Sequence, residues 1–282
     1  MACALHETRN PDYDFLSFQS SEKPDGYDLY TEFESTEEKE RAVAQQVQHI
    51  LYQVSTAAAL VQGVYAGAVR VSTLRQHGDL GLGTFEGLDG EMVVSDGHFF
   101  QVRSDGSVRE VQDDTLVPFA AVTDFSPDRS VTLDNCADLS ELTSRFDTLR
   151  PSDNFFFALR IDGTFDYIHA RAMRRTKEGV PLVQAAAVQP EFEFKNILGT
   201  LVGFWTPEYA KALNVPGYHL HFISADRTRG GHLLQCRGKN LSLQIQSEGD
   251  YHVVLPQTND FLKANLRRDP TADLAKAEGE KK

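Results

Sequence analysis

Residues 216–236, PGYHLHFISADRTRGGHLLQC, hold His219, His221 and His232, three of the nine histidines of the chain. The alternation Tyr218-His219-Leu220-His221-Phe222 reads as a β-strand, because side chains along a strand point to opposite faces with period two. His219 and His221 then share one face, while Leu220 and Phe222 serve the other. The stretch 224–231, with Asp226, Gly230 and Gly231, reads as a turn. A hairpin centred there sets His232 opposite His221, where directly opposed residues hold their Cβ atoms about 4.5–5.5 Å apart. Three neutral imidazoles with no fourth protein ligand describe an open, catalytic zinc site better than a closed structural one. The competing reading is three unrelated histidines in a β-rich region. The pattern points to a metal and names no reaction.

The elements that must position these side chains follow from turn and cap signals. Residues 1–36 are polar and acidic without a sustained period and read as an extended or poorly ordered arm. Ser35 with Glu38 forms a capping box for a short helix through about residue 48. Residues 50–54 are strand-like, and Ser55 or Thr56 can cap an Ala-rich helix over 57–65, with a third short helix over 72–77. From Leu80 the texture changes to short β-prone runs broken at Asp89-Gly90, Asp96-Gly97 and Asp105-Gly106, which predicts an antiparallel sheet over 80–112. A capped helix is predicted over 138–149, and a hairpin of 154–161 with 164–173 turning at Asp162-Gly163. Residues 198–205 read as a buried strand, with Pro207 opening a short helix. Two strands over 241–246 and 251–255 and a helix over 258–266 capped by Thr258 complete the pattern. The charged, Ala-rich tail beyond Pro270 reads as disordered by composition.

The bulk properties set bounds on partners. A chain of 282 residues can bury a substantial core. Its net charge of −13 argues against nucleic acid as a partner, since phosphate binding needs clustered Lys and Arg. Cys3, Cys136 and Cys236 are odd in number and widely spaced, which predicts neither a disulfide framework nor a cysteine-based zinc site. No apolar run approaches the ~18 residues needed to span a bilayer. The first residues lack a basic stretch followed by an apolar one, so a cytoplasmic location is the expectation.

Several strings in the chain resemble the α-acetolactate decarboxylases: LYQVST at 51–56, HGDLGLGTFEGLDGE at 77–91, FFALRIDGTF at 156–165, IHAR at 168–171, GTLVGFWTPEYA at 199–210, and GYHLHFI with GGHLL in the histidine segment. The resemblance implies a zinc lyase that converts 2-acetolactate to acetoin and carbon dioxide, working as a homodimer. It implies His219, His221 and His232 as the zinc ligands, in agreement with strand parity. It also implies Glu91 as an active-site glutamate, Arg171 as the substrate-binding arginine and Thr84 as a residue lining the site. A second glutamate of the family comes from the C-terminal tail, and Glu278 matches it by spacing, with Glu280 as its rival.

The implied chemistry suits these residue types. Loss of carbon dioxide sends two electrons into the ketone, where a dication held by neutral imidazoles can stabilise the enediolate. Arg171 would pair with the carboxylate as a planar fork, and Glu91 or Glu278 would return the proton. Two other readings compete: a cupin-like metal oxygenase or isomerase, and a non-enzymatic β-protein. Cupins place a Glu shortly after H-x-H, whereas Ser224, Ala225 and Asp226 follow here. The expected fold is α+β, with two packed subdomains (37–165 and 166–270) built on mixed, mainly antiparallel sheets. The metal site lies between them, and the tail 271–282 folds back over it.

Overall fold

The structure is a computed structural model that describes residues 49–279. The N-terminal arm, the helix predicted up to residue 48, and Glu280 lie outside the described residues. In chain order, β1 (Ile50–Val54) is followed by α1 (Ala57–Val61), β2 (Val69–Arg70), α2 (Val71–Leu74), β3 (Leu80–Thr84) and β4 (Glu91–Ser95). Then come β5 (His98–Val102), β6 (Val108–Glu110), β7 (Leu116–Val117), β8 (Phe119–Thr123), β9 (Arg129–Cys136), α3 (Leu139–Leu149) and β10 (Phe156–Arg171). The remaining elements are α4 (Leu182–Ala186), β11 (Glu191–Thr206), β12 (Gly217–Ser224), β13 (Gly230–Glu248), β14 (Asp250–Val254), α5 (Asn259–Lys263) and α6 (Thr271–Glu278). No described helix is long and apolar enough to cross a membrane.

Two sheets carry the molecule, and the fold is α+β. The first has the order β14-β1-β8-β3-β4-β5-β6 and contains the meander predicted over 80–112. The second has the order β10-β11-β12-β13-β9, and β13 also pairs with β10, so this sheet closes on itself. All these pairings are antiparallel except β1 with β14. Leu82, Val93 and Phe100 of the first sheet pack with Ala158, Phe204 and Ile223 of the second in one apolar layer. Alternation along β3–β5 and β10–β12 supplies that layer, as period-two side chains require.

The structure departs from the sequence reading at several elements. Helix α1 ends at Val61, well before residue 65, because Gly63 takes a positive φ of 83°. Helix α2 covers Val71–Leu74 rather than 72–77, and α5 stops at Lys263. The hairpin predicted at Asp162-Gly163 does not exist: β10 runs unbroken through both residues. Gly163 is needed for close approach instead, since a Cβ there would meet Leu241 Cδ2 at 2.6 Å. Asp162 is held by Arg160 Nε at 2.7 Å and by Thr200 Oγ1 at 2.8 Å, so its carboxylate is satisfied within a strand. The return arm of the histidine hairpin and the strand predicted over 241–246 are likewise one strand, β13. Position 165/166, taken above as a subdomain boundary, falls inside β10. The described part of the tail is helical over Thr271–Glu278, with Leu274 and Ala277 buried.

Candidate active site

The histidine hairpin forms with the register that strand parity predicts. His221 of β12 pairs with His232 of β13, and His219 lies two residues back on the same face. Gly231 makes the crossing possible: it holds φ at +142°, and a Cβ there would meet Arg171 O at 2.5 Å. The three rings converge, with centroids 5.0, 5.0 and 5.3 Å apart, and one nitrogen of each lies within 4.8 Å of the others. All three are buried.

Their electrostatics favour the neutral form. Burial, then the Arg171 charge, pushes His219 down to about 3. Burial and the neighbouring His219 push His221 down to about 3, and burial holds His232 well below its usual value. His221 Nδ1 lies 2.7 Å from Met92 O; a carbonyl only accepts, so Nδ1 carries the proton and Nε2 keeps its lone pair. That Nε2 is buried with no hydrogen-bond partner among the described residues. A ring nitrogen left bare beside two other neutral imidazoles is an environment that a cation completes. The residues present therefore fit a metal ion.

Around the imidazoles the structure gathers every described candidate. Thr84 ends β3 directly opposite Glu91, which opens β4. Thr84 Oγ1 donates to Gly90 O at 2.7 Å, which fixes the hydroxyl. Glu91 is buried, with Oε2 3.6 Å from His221 Nε2 and Oε1 accepting from Met173 N at 3.0 Å. Burial pushes its carboxyl up to about 7, against the pull of Arg171 and with repulsion from Glu278. Arg171 ends β10 and is buried. Its Nη2 donates to Glu278 Oε2 at 2.9 Å, and its Nη1 donates to Gln189 Oε1 at 2.8 Å and to Ala277 O. Glu278 Oε2 also lies 3.4 Å from His232 Nε2 and 3.9 Å from His219 Nε2.

The remaining walls are apolar: Leu60, Leu88, Phe119, Met173, Leu182 and Val215 line a cavity of about 40 Å³ together with the polar groups. Sequence reasoning missed Gln189 and these apolar residues. Gln189 precedes a proline between two elements, and no periodicity marks it. The apolar residues carry ordinary core signals, so only their meeting at one point reveals them. The arrangement can hold a cation on three nitrogens, a carboxylate on a guanidinium, and a proton on a buried carboxyl, all in one small cavity.

A family model described as alpha-acetolactate decarboxylase matches residues 51–268. The alpha-acetolactate decarboxylase of Methanosarcina mazei is 43% identical over 246 residues, which covers 87% of this chain and 85% of that protein. The Brevibacillus brevis protein of the same name is 40% identical and covers 83% of this chain and 82% of its own length. A crystal structure of alpha-acetolactate decarboxylase from Bacillus subtilis superposes with a TM-score of 0.80 at 39% identity, over 82% of this chain and all of that one.

Proposed function

This chain belongs to the alpha-acetolactate decarboxylase family of carbon–carbon lyases, and on that premise we propose a zinc-dependent conversion of 2-acetolactate to acetoin and carbon dioxide. The observation that carries the metal-dependent part is the meeting of three neutral imidazoles with Arg171, Glu91 and Glu278 in one buried cavity. His219, His221 and His232 would hold the ion. When bound, it supplies a Lewis-acid charge for the ketone and hydroxyl oxygens of the substrate.

The chain's own groups do the rest. Arg171 receives the substrate carboxylate and orients the bond that breaks, and the substrate must take its place from Glu278 Oε2 on Nη2. As carbon dioxide leaves, the electron pair of that bond passes toward the former ketone, and the carbon left behind needs a proton. Glu91 is the proton donor in this reading, because its buried carboxyl faces the cavity beside the imidazoles, with Oε2 3.6 Å from His221 Nε2. Glu278 is the second carboxyl, close enough to raise the proton affinity of Glu91. Thr84, its hydrogen committed to Gly90 O, offers an acceptor to a substrate hydroxyl. The apolar walls exclude water from the reacting carbon. The reading includes a homodimer in the cytoplasm.

The test is acetoin formation from racemic acetolactate, with and without a chelator, beside metal analysis of the purified protein. Stoichiometric zinc, chelator-sensitive turnover, and loss of both in His219→Ala are expected. Full turnover in a metal-free preparation would end the metal-dependent reading.

A further inference from the structure

Gln189 has no role in the chemistry so far, yet it touches the group that meets the substrate carboxylate. It sits between α4 and β11, buried, with Oε1 accepting from Arg171 Nη1 at 2.8 Å. The Ala277 carbonyl accepts from the same nitrogen. Nη1 carries two N–H groups, so these two neutral oxygens satisfy it. The other edge of the guanidinium, Nε with Nη2, is in a different state. Nε is buried and has no hydrogen-bond partner among the described residues, and Nη2 is held by Glu278 Oε2 at 2.9 Å. A buried unpaired N–H on the residue facing the cavity is costly, and a ligand that pairs it recovers that cost.

We propose that Gln189 is a positioning residue that commits Nη1, so that the Nε–Nη2 edge of Arg171 takes the substrate carboxylate through two parallel hydrogen bonds. The inference rests on the reading of Arg171 as the carboxylate binder. Two features suit Gln189 to this task. Its backbone is pinned: its N–H donates to Ala186 O at 3.4 Å, Val188 O accepts from Arg174 Nε at 3.0 Å, and Pro190 O accepts from Ala172 N at 3.3 Å. Its side chain is also neutral. A glutamate of the same shape would hold Nη1 equally well, but its charge would oppose the incoming carboxylate. An amide orients the cation and leaves its charge for the substrate. When the carboxylate binds, it displaces Glu278 from Nη2 and supplies Nε with its missing partner.

The test compares full-length wild-type enzyme with Gln189→Met and Gln189→Glu, using two unreactive competitors. One is 2,3-dihydroxy-2-methylbutanoate, which keeps the carboxylate; the other is 2,3-butanediol, which lacks it. In Gln189→Met, the substrate KM and the Ki of the carboxylate competitor are expected to rise about ten-fold, with the diol Ki within about two-fold of wild type. Gln189→Glu is expected to weaken the carboxylate competitor further, about thirty-fold or more. It preserves shape, so it carries the test if Gln189→Met does not fold. Unchanged affinity for the carboxylate competitor, or equal weakening of both competitors, overturns the proposal. Arg171→Met separates the two levels of inference. If it spares the carboxylate competitor, the reading of Arg171 fails and this inference falls with it. If it loses that competitor while both Gln189 variants keep it, only the positioning role is overturned.

Discussion

At the scale of single residues, the site works by setting protonation states through burial. The same desolvation that strips protons from His219 and His221 keeps one on Glu91, because in each case it penalises the charged form. In the proposed reading burial does most of the work of keeping the imidazoles neutral for a cation and the Glu91 carboxyl protonated, with Arg171 and His219 adding to it at the imidazoles and Glu278 at Glu91. Glu91→Gln preserves the shape and the acceptor for Met173 N, and it removes the transferable proton. We expect kcat to fall by about 10²-fold or more, with the affinity for a carboxylate competitor and the thermal unfolding midpoint held near wild type. Steady-state kinetics beside a thermal melt checks this, and a kcat within a few-fold of wild type would remove Glu91 as the donor. These residues differ in how visible they are in the sequence. The histidines show themselves because a period-two strand and a glycine turn force three identical side chains together. Glu91 and Arg171, taken alone, look like ordinary charges at strand ends. Gln189 gives no signal at all, because its role exists only through a contact 18 residues away in sequence.

At the scale of elements, the hairpin and the tail helix define the site between them. Gly231 lets β13 pass under the end of β10 with a backbone geometry that no other residue adopts comfortably. Gly231→Ala would press a methyl onto the Arg171 carbonyl and strain the turn that sets His232. A loss of about 2–4 kcal/mol in urea unfolding is expected, with a weaker grip on the metal read by competition with a chromophoric chelator. Wild-type metal affinity in that variant would show that the turn does not set the ligand geometry. Helix α6 brings Glu278 onto Arg171 and buries Leu274 and Ala277 against the cluster that includes Leu60, Leu88 and Met173. With α6 docked the cavity is only about 40 Å³, room for about three waters. On the proposed reading the substrate carboxylate takes the place of Glu278 Oε2 on Arg171 Nη2, so Glu278 yields on binding. Truncation after Pro270 should cost about 2–3 kcal/mol of stability and lower kcat/KM about ten-fold or more; undiminished turnover would mean that the tail only covers the site. Composition hid this helix, since charged and alanine residues surround its two buried positions. The same limit explains β10: Asp162-Gly163 is a strong local turn signal, but Thr200 and Arg160 hold the aspartate while Leu241 needs the space at the glycine. Local signals decide turns only where no neighbouring strand makes a stronger demand.

At the scale of the whole molecule, the two sheets must keep Thr84 and Glu91 of one against the histidines and Arg171 of the other. Most of their contact is apolar, and a polar cluster around Glu248 crosses it in addition to the His221–Met92 contact. Thr123 of β8 donates to Glu248 Oε2 at 3.1 Å, and Gln246 Nε2 donates to Glu248 Oε1 at 3.0 Å, both acceptor atoms lying on β13. Gln246 also donates to Asp124 O and accepts from Ser126 N, so the cluster fastens the loop after β8 to the second sheet. No sequence pattern announces this, because Glu248 stands at the end of a long strand and Thr123, its partner on the other sheet, is more than a hundred residues away. Burial pushes the Glu248 carboxyl up to about 8; the hydrogen bonds from Thr123 and Gln246 pull the other way, and the Asp128 charge adds to the rise. The sign of the resulting pH dependence follows from proton counting. Between about 4.5 and about 8 the folded state holds a proton on Glu248 that the unfolded chain has released. Stability from this group is therefore complete below the unfolded value and is lost as pH rises through the folded one. Glu248→Gln keeps a neutral group of the same shape and removes the titration. Urea unfolding from pH 5 to pH 9 should show the wild type losing stability relative to the variant as pH rises, by on the order of a few kcal/mol. A difference between the two proteins that is flat across this range would mean that Glu248 is ionised in the fold and that its partners, rather than its proton, hold the sheets at this point.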